Sequence, residues 1–161
     1  PECEVCHGNH KIMKPTDDMV GAGKDALCLK CHDSSSVGFK TASVMRDSIE
    51  DLKREITQAK ELTLKAERLG MEVEDALFDI DEAGNSLTKA RAYIHSFSPK
   101  EVNLVANNGK SLARKAKELA QKSIDNFNYR RKGYIFVILL IFIFSLALYA
   151  RIKILERTNR R

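Results

Sequence analysis

The feature that most limits how this chain can fold is an uncharged apolar run near its C-terminal end. Residues 133–150 read GYIFVILLIFIFSLALYA and contain no charged side chain. Because a helix needs about 20 apolar residues to cross the hydrocarbon core of a bilayer, this run predicts a single transmembrane helix. It lies too far along the chain to be a secretory signal peptide.

The positive charge of the chain is concentrated beside this run. The formal net charge is +5, and basic residues flank the run on both sides. They are Arg130, Arg131 and Lys132 before it, and Arg151, Lys153, Arg157, Arg160 and Arg161 after it. Basic clusters at this position are typical of membrane flanks, and no interleaving of aromatic and basic residues supports nucleic-acid binding. The positive-inside tendency favours a cytoplasmic tail at 151–161, although the cluster at 130–132 acts against it.

The middle of the chain has the heptad spacing of packed helices. A seam at alternating intervals of four and three residues predicts a first helix that ends near Gly70; it consists of Met45, Ile49, Leu52, Ile56, Ala59, Thr63 and Ala66. A second helix carries one seam of Val73, Ile80, Leu87 and Ile94 and another of Ala76, Ala83 and Ala90. We interpret the acidic cluster of Asp79, Asp81 and Glu82 as a solvated face of that helix.

A third helix is predicted to begin at Ser98-Pro99-Lys100-Glu101. Ser98 is suited to the N-cap, Pro99 to the first helical position and Glu101 to a capping box. The predicted seam of this helix is Val102, Val105, Leu112, Ala116 and Leu119. Nothing interrupts it before Gly133, so we expect it to continue into the membrane. The predicted fold class is therefore mainly α, with an antiparallel three-helix bundle whose last helix becomes the anchor.

Two C-x-x-C-H motifs hold all four cysteines of the chain, so none remains for a disulfide framework. Cys3, Cys6 and His7 form the first motif, and Cys28, Cys31 and His32 form the second. Three cofactor hypotheses fit paired cysteines: a zinc ribbon, redox dithiols, and covalent c-type haem. Only haem attachment requires a histidine directly after the second cysteine, where it ligates the iron. With four His among 161 residues, such a placement in both motifs is rare by chance, and we favour two covalent haems.

Residues 3–32, CEVCHGNHKIMKPTDDMVGAGKDALCLKCH, resemble the doubled C-x-x-C-H unit of multihaem c-type cytochromes. The resemblance covers only the N-terminal part of the chain. It implies thioether attachment through the four cysteines, and haem attachment outside the cytoplasm, in the periplasm or its equivalent. The residues between the motifs favour turns wrapped around the cofactors, because so short a segment has no adequate core of its own.

The second axial ligands of two bis-His irons must come from other residues. His10 lies too close to His7 in sequence to reach the opposite face of the same haem, so we assign it to the haem on Cys28 and Cys31. The first helix travels about 48 Å and the second returns, which should bring His95 beside the haem segment, as the candidate ligand for the haem on Cys3 and Cys6. The reverse pairing stays open, as does a role of His95 as ligand for a haem on an upstream part. A ligand role for Met13 or Met19 and a surface role for either histidine also stay open.

These observations predict four parts: a dihaem segment at 1–36, a hairpin and stalk at 37–132, a transmembrane helix at 133–150, and a basic cytoplasmic tail at 151–161. We expect a membrane-anchored electron-transfer subunit, without catalytic residues of its own, that works in the periplasm with other redox subunits or cytochromes. Because the chain begins at Pro1, we also expect further haems upstream. The alternatives are a haem-based periplasmic sensor, which would need a cytoplasmic output domain, and a zinc-binding structural anchor.

Overall fold

The computed structural model describes residues 2–12 and 14–159, and most of them are helical. The four α-helices are α1 (Cys3–His7), α2 (Val37–Arg68), α3 (Glu74–Tyr93) and α4 (Pro99–Asn159). Short 3₁₀ helices lie between them at Asp17–Met19, Leu27–Lys30 and Ile94–Ser96. The described residues contain no strand, and the prediction of a mainly α fold is confirmed.

Helices α2, α3 and α4 form the bundle around three clusters of buried residues. The cluster nearest the N-terminal segment contains Met45, Ile49, Ala90 and Val102; the middle cluster includes Leu52, Ile56, Ala76, Ala83 and Ala113; the far cluster contains Ala66, Val73, Ala120 and Ile124. From one cluster to the next, residue numbers rise along α2 and α4 and fall along α3. The middle helix is therefore antiparallel to the other two.

The ends of the helices follow the expected signals. Gly70 has a φ of 73°, in the left-handed region that glycine adopts readily, and its N–H donates to the carbonyl of Glu67 at 2.8 Å. Helix α4 begins at Pro99, and the N–H of Glu101 lies 3.5 Å from the Oγ of Ser98. The predicted stop and start are both confirmed.

The predicted seam of α2 is confirmed, and that of α4 is confirmed in part, since all five of its residues contact the core but three of them lie at its edge. All seven predicted α2 residues are buried. In α4, Val102 and Ala116 are buried as predicted, but Val105, Leu112 and Leu119 are only half-buried. The remaining buried positions of α4 are Ala106, Gly109, Ala113, Ala120 and Ile124. Because α4 packs against both α2 and α3, its side of small residues faces inward, where the helix axes come close together.

The interpretation of Asp79 as part of a solvated acidic face is also wrong. Its exposed fraction is 3%, and its Oδ2 lies 3.0 Å from the Nζ of Lys115 on α4. Asp79 follows Ala76 by three residues and directly precedes Ile80, so it shares their packed side of α3. A carboxylate there needs a cationic partner, which α4 provides.

The C-terminal half of α4 leaves the bundle as a free helix. The helix has 61 residues without interruption, as predicted, and Gly133 lies within it. None of its most apolar 18-residue stretch is buried against the rest of the structure. A helix of this length and composition is compatible with one membrane span.

Candidate haem site

Both C-x-x-C-H motifs lie on helical turns, which place their side chains on one side of the backbone. Cys3, Cys6 and His7 occupy α1, where residues three and four apart are neighbours on the surface. In the second motif, the 3₁₀ helix Leu27–Lys30 ends at Cys31, and the N–H of His32 donates to the carbonyl of Cys28 at 3.0 Å. Each motif therefore occupies little more than one helical turn.

The thiols are free and reachable, and they do not converge. Cys3 and Cys31 are exposed, Cys6 and Cys28 are partly buried, and none forms a disulfide. Over residues 2–12 and 14–159, no three side chains of His, Cys, Asp or Glu come together as a metal-ion site. A zinc ribbon would bring all four thiolates around one ion, and this arrangement does not do so.

The imidazoles of His7 and His95 are neighbours: their ring centroids lie 6.2 Å apart, with an angle of 25° between the ring planes. The rings are too far apart for van der Waals stacking. A metal-to-imidazole bond is about 2 Å long and a ring nitrogen lies about 1 Å from its ring centre, so two imidazoles bound to opposite sides of one metal ion have centres about 6 Å apart. The centroid separation of His7 and His95 is therefore compatible with one ion held between their ring nitrogens.

One ring nitrogen of His95, Nδ1, already takes part in a hydrogen bond. His95 lies in the 3₁₀ helix Ile94–Ser96, and its Nδ1 is 3.0 Å from the carbonyl oxygen of Ala92. A carbonyl can only accept, so Nδ1 carries the proton and the lone pair of the neutral ring lies on Nε2. Metal-ligating histidines commonly hold their second nitrogen in this way.

An ionic contact attaches the segment between the motifs to the bundle. The Nε and Nη2 of Arg91 on α3 donate to the two carboxylate oxygens of Asp17, each at 2.8 Å, and Lys53 Nζ on α2 lies 3.0 Å from Asp17. Beside it, Arg46 binds Asp18 at 2.7 Å. The hydrogen bonds from Arg91, opposed by desolvation and reinforced by Lys53, lower the pKa of Asp17 to about 2. Sequence reasoning did not find this contact.

The apolar residues of the segment fit a surface that a porphyrin would cover. Ala26 is the one apolar side chain buried within the described part of residues 2–36. Val20 packs at the edge of the bundle core, whereas Val5, Ile12 and Leu29 are 52%, 74% and 40% exposed. Free thiols in pairs, two neighbouring imidazoles and uncovered apolar side chains together fit c-type haem.

The other candidate ligands lie on the loops and turns of the N-terminal segment. His10 is exposed in the loop after α1, and His32 stands just before α2 with its ring against Gly38. The sulfur of Met19 accepts a hydrogen bond from the N–H of Thr16 at 3.4 Å. Met13 lies outside the described residues, as do Arg160 and Arg161 of the tail.

Residues 1–37 match the family model described as the doubled CXXCH motif. The paired motif indicates covalently bound c-type haem and supports a multihaem cytochrome unit that transfers electrons. The match ends at the first residue of α2, so it does not include the bundle or the C-terminal helix. Neither the curated proteins nor the solved structures contain a match to the chain.

Proposed function

We propose that this chain is a membrane-anchored dihaem cytochrome subunit that relays electrons on the periplasmic side of the inner membrane. The observation that carries the proposal is the 6.2 Å separation of His7 and His95 in a chain that also matches the doubled CXXCH motif. When bound, haem iron with both axial positions filled by His gains and loses one electron without binding a substrate.

Each haem would be held by its own set of residues. Cys3 and Cys6 would form the thioether bonds to the first haem, and His7 and His95 would ligate its iron. The hydrogen bond from His95 Nδ1 to the carbonyl of Ala92 orients the imidazole and makes Nε2 a better electron donor. Cys28 and Cys31 would form the thioether bonds to the second haem, and His32 and His10 would ligate its iron.

The stalk holds the haems far from the bilayer. From Pro99 to Gly133, helix α4 rises about 50 Å at 1.5 Å per residue. This distance is too long for direct electron transfer between these haems and a quinone within the membrane. We propose that another redox subunit or cytochrome, or haems on an upstream segment, completes the electron path, and that the tail after Ala150 lies in the cytoplasm.

The test is the replacement of His95 by Ala in the haem-loaded chain. Mass spectrometry of the denatured variant should still show two covalent haems, because the four cysteines are unchanged. One haem should become high-spin, because it loses an axial imidazole. His95→Met should restore a low-spin haem with a higher potential than the wild type, since thioether ligation raises the potential.

Lys89→Ala is the matched control, because it removes an exposed side chain of α3, six residues before His95. It should leave the spectrum unchanged. A fully low-spin spectrum for His95→Ala would remove His95 from the ligand set. An unmutated chain with the mass of bare polypeptide would refute the cytochrome proposal, and a high-spin haem in that unmutated chain would favour a sensor.

A further inference from the structure

The second motif is joined to the bundle by a direct contact between a histidine ring and a glycine. Gly38 lies in the first turn of α2, and the imidazole of His32 lies over its Cα hydrogens. A Cβ added to Gly38 would come 2.6 Å from His32 Nε2 and closer still to Nδ1 and Cε1. Real Cβ contacts are not that short, so any residue other than glycine must displace the ring.

The turn between these two residues is held by further hydrogen bonds. Oδ1 of Asp33 accepts from the N–H of Ser35 at 2.8 Å and of Ser36 at 3.0 Å. The Oγ of Ser36 then caps α2 by accepting from the N–H of Phe39 at 3.2 Å. An Asx turn that leads directly into an N-cap fixes where His32 stands relative to the helix.

Two other helical glycines have no such contact. A Cβ added to Gly84 in α3, or to Gly133 in α4, would meet nothing within 4 Å. The lack of a side chain at Gly38 therefore serves the His32 ring, rather than the bending or close packing of α2.

We propose that Gly38 is a positioning residue for the second haem. Because Gly38 has no side chain, the His32 imidazole can lie against the first turn of α2. The inference rests on the proposed function, since it takes His32 as an iron ligand. It adds that the position of this ligand is set by the stalk helix as well as by the neighbouring cysteines. A displaced ring would bind the iron less well without any loss of the thioether bonds.

The experiment compares Gly38→Ala with Gly84→Ala in a full-length chain whose Cys3 and Cys6 are replaced by Ser, so that only the second haem is attached. Both variants gain the same helix-forming residue, but only the first one meets a ring. Loss of a supporting contact to a metal ligand typically costs about 10–100-fold in affinity. We therefore expect carbon monoxide to bind the reduced haem at least about tenfold more tightly in Gly38→Ala, and some high-spin signal in its oxidised spectrum.

Gly84→Ala should behave like its parent chain, and the covalent haem content should be the same in all three. A Gly38→Ala spectrum and carbon monoxide affinity equal to those of Gly84→Ala would overturn the role of Gly38 alone. A parent chain without covalent haem would instead refute the proposed function. If Gly38→Ala loses its helical circular dichroism, Asp33→Ala is measured in its place: the same changes would support the proposal, and an unchanged spectrum would overturn it.

Discussion

At the scale of single residues, the helical glycines show how one residue type serves different purposes. Gly109 of α4 is buried where α4 meets α2 and α3. A Cβ there would lie 2.8 Å from Ser86 Cβ and 2.9 Å from Leu52 Cδ1. Leu52 can adjust its side chain, but Ser86 Cβ is fixed to the backbone of α3. Glycine at this position is what lets the helices approach so closely.

We expect Gly109→Ala to destabilise the bundle although alanine favours helices. Overpacking a core costs about 1–3 kcal/mol, and the higher helix propensity of alanine returns about 1 kcal/mol. The net loss should be up to about 2 kcal/mol in the free energy of urea unfolding, followed by circular dichroism in detergent. Gly84→Ala, with open space around its Cβ, should gain up to about 1 kcal/mol. Equal midpoints for the two variants would contradict the close packing at Gly109.

The sequence alone does not separate these glycines. Gly84 and Gly109 both lie inside regular heptads, and the difference between them is the distance to a neighbouring helix. The sequence predicted that His95 would lie beside the N-terminal segment, because the lengths of the two helices follow from the turn signals at Gly70 and Ser98. The structure places His95 near His7. The ligand role of His95 remains a prediction until the substitutions above are made.

At the scale of elements, the contact of Asp17 with α2 and α3 joins the N-terminal segment to the bundle. The carboxylate side chain is only 12% exposed and receives hydrogen bonds from Arg91 and a salt bridge from Lys53. Its pKa is lowered from 3.8 to about 2. A carboxylate whose pKa is lower in the folded state adds stability above its unfolded pKa, and this stability is lost as the pH falls through the folded value.

Replacing Asp17 by Asn should therefore destabilise the protein by about 1–2 kcal/mol at neutral pH, an amount that allows for the partial exposure of Arg91. The difference from the wild type should shrink between about pH 4 and pH 2 and vanish below that range. The measurement is the free energy of urea unfolding of both proteins as a function of pH. Asp51→Asn is the control, because Asp51 pairs with Arg54 on the surface of α2. A difference for Asp17→Asn that does not change with pH would refute the ionic origin of the effect.

Which side of a helix faces the core was predictable for α2 and only in part for α4. Bulky residues at heptad spacing mark the α2 seam, and burial of that seam follows from the hydrophobic effect alone. In α4 a bulky stripe and a small stripe lie side by side, and close approach of two partner helices selects the small one. The pairing of Asp17 with Arg91 joins residues 74 positions apart, and no local pattern signals such a pair.

At the scale of the whole molecule, one helix belongs to two environments. The last buried residue of α4 in the bundle is Ile124, and the apolar run begins at Gly133. Between them the helix is largely exposed and ends in the basic cluster of Arg130, Arg131 and Lys132. The bundle core and the apolar run therefore share a helix but no packed contacts, so each should keep its properties without the other.

A chain that ends at Lys132 tests this separation. None of the most apolar 18-residue stretch of α4 is buried in the structure. The shortened chain should therefore fold with the same haem spectrum as the full chain. Its free energy of unfolding should agree within about 0.5 kcal/mol, as for changes away from packed residues. Without the run it should remain in water without detergent, whereas the full chain should float with lipid vesicles in a density gradient.

A full-length variant with Ile138→Arg and Ile141→Arg is the control for the vesicle experiment. Each arginine near the centre of a span costs about 2.5–3.5 kcal/mol for insertion, so this variant should lose most of its flotation while its bundle stays folded. Flotation of the chain that ends at Lys132 would show that the bundle itself binds the membrane surface. Unfolding of that chain would show that the apolar run contributes to the bundle core, contrary to the separation at Ile124.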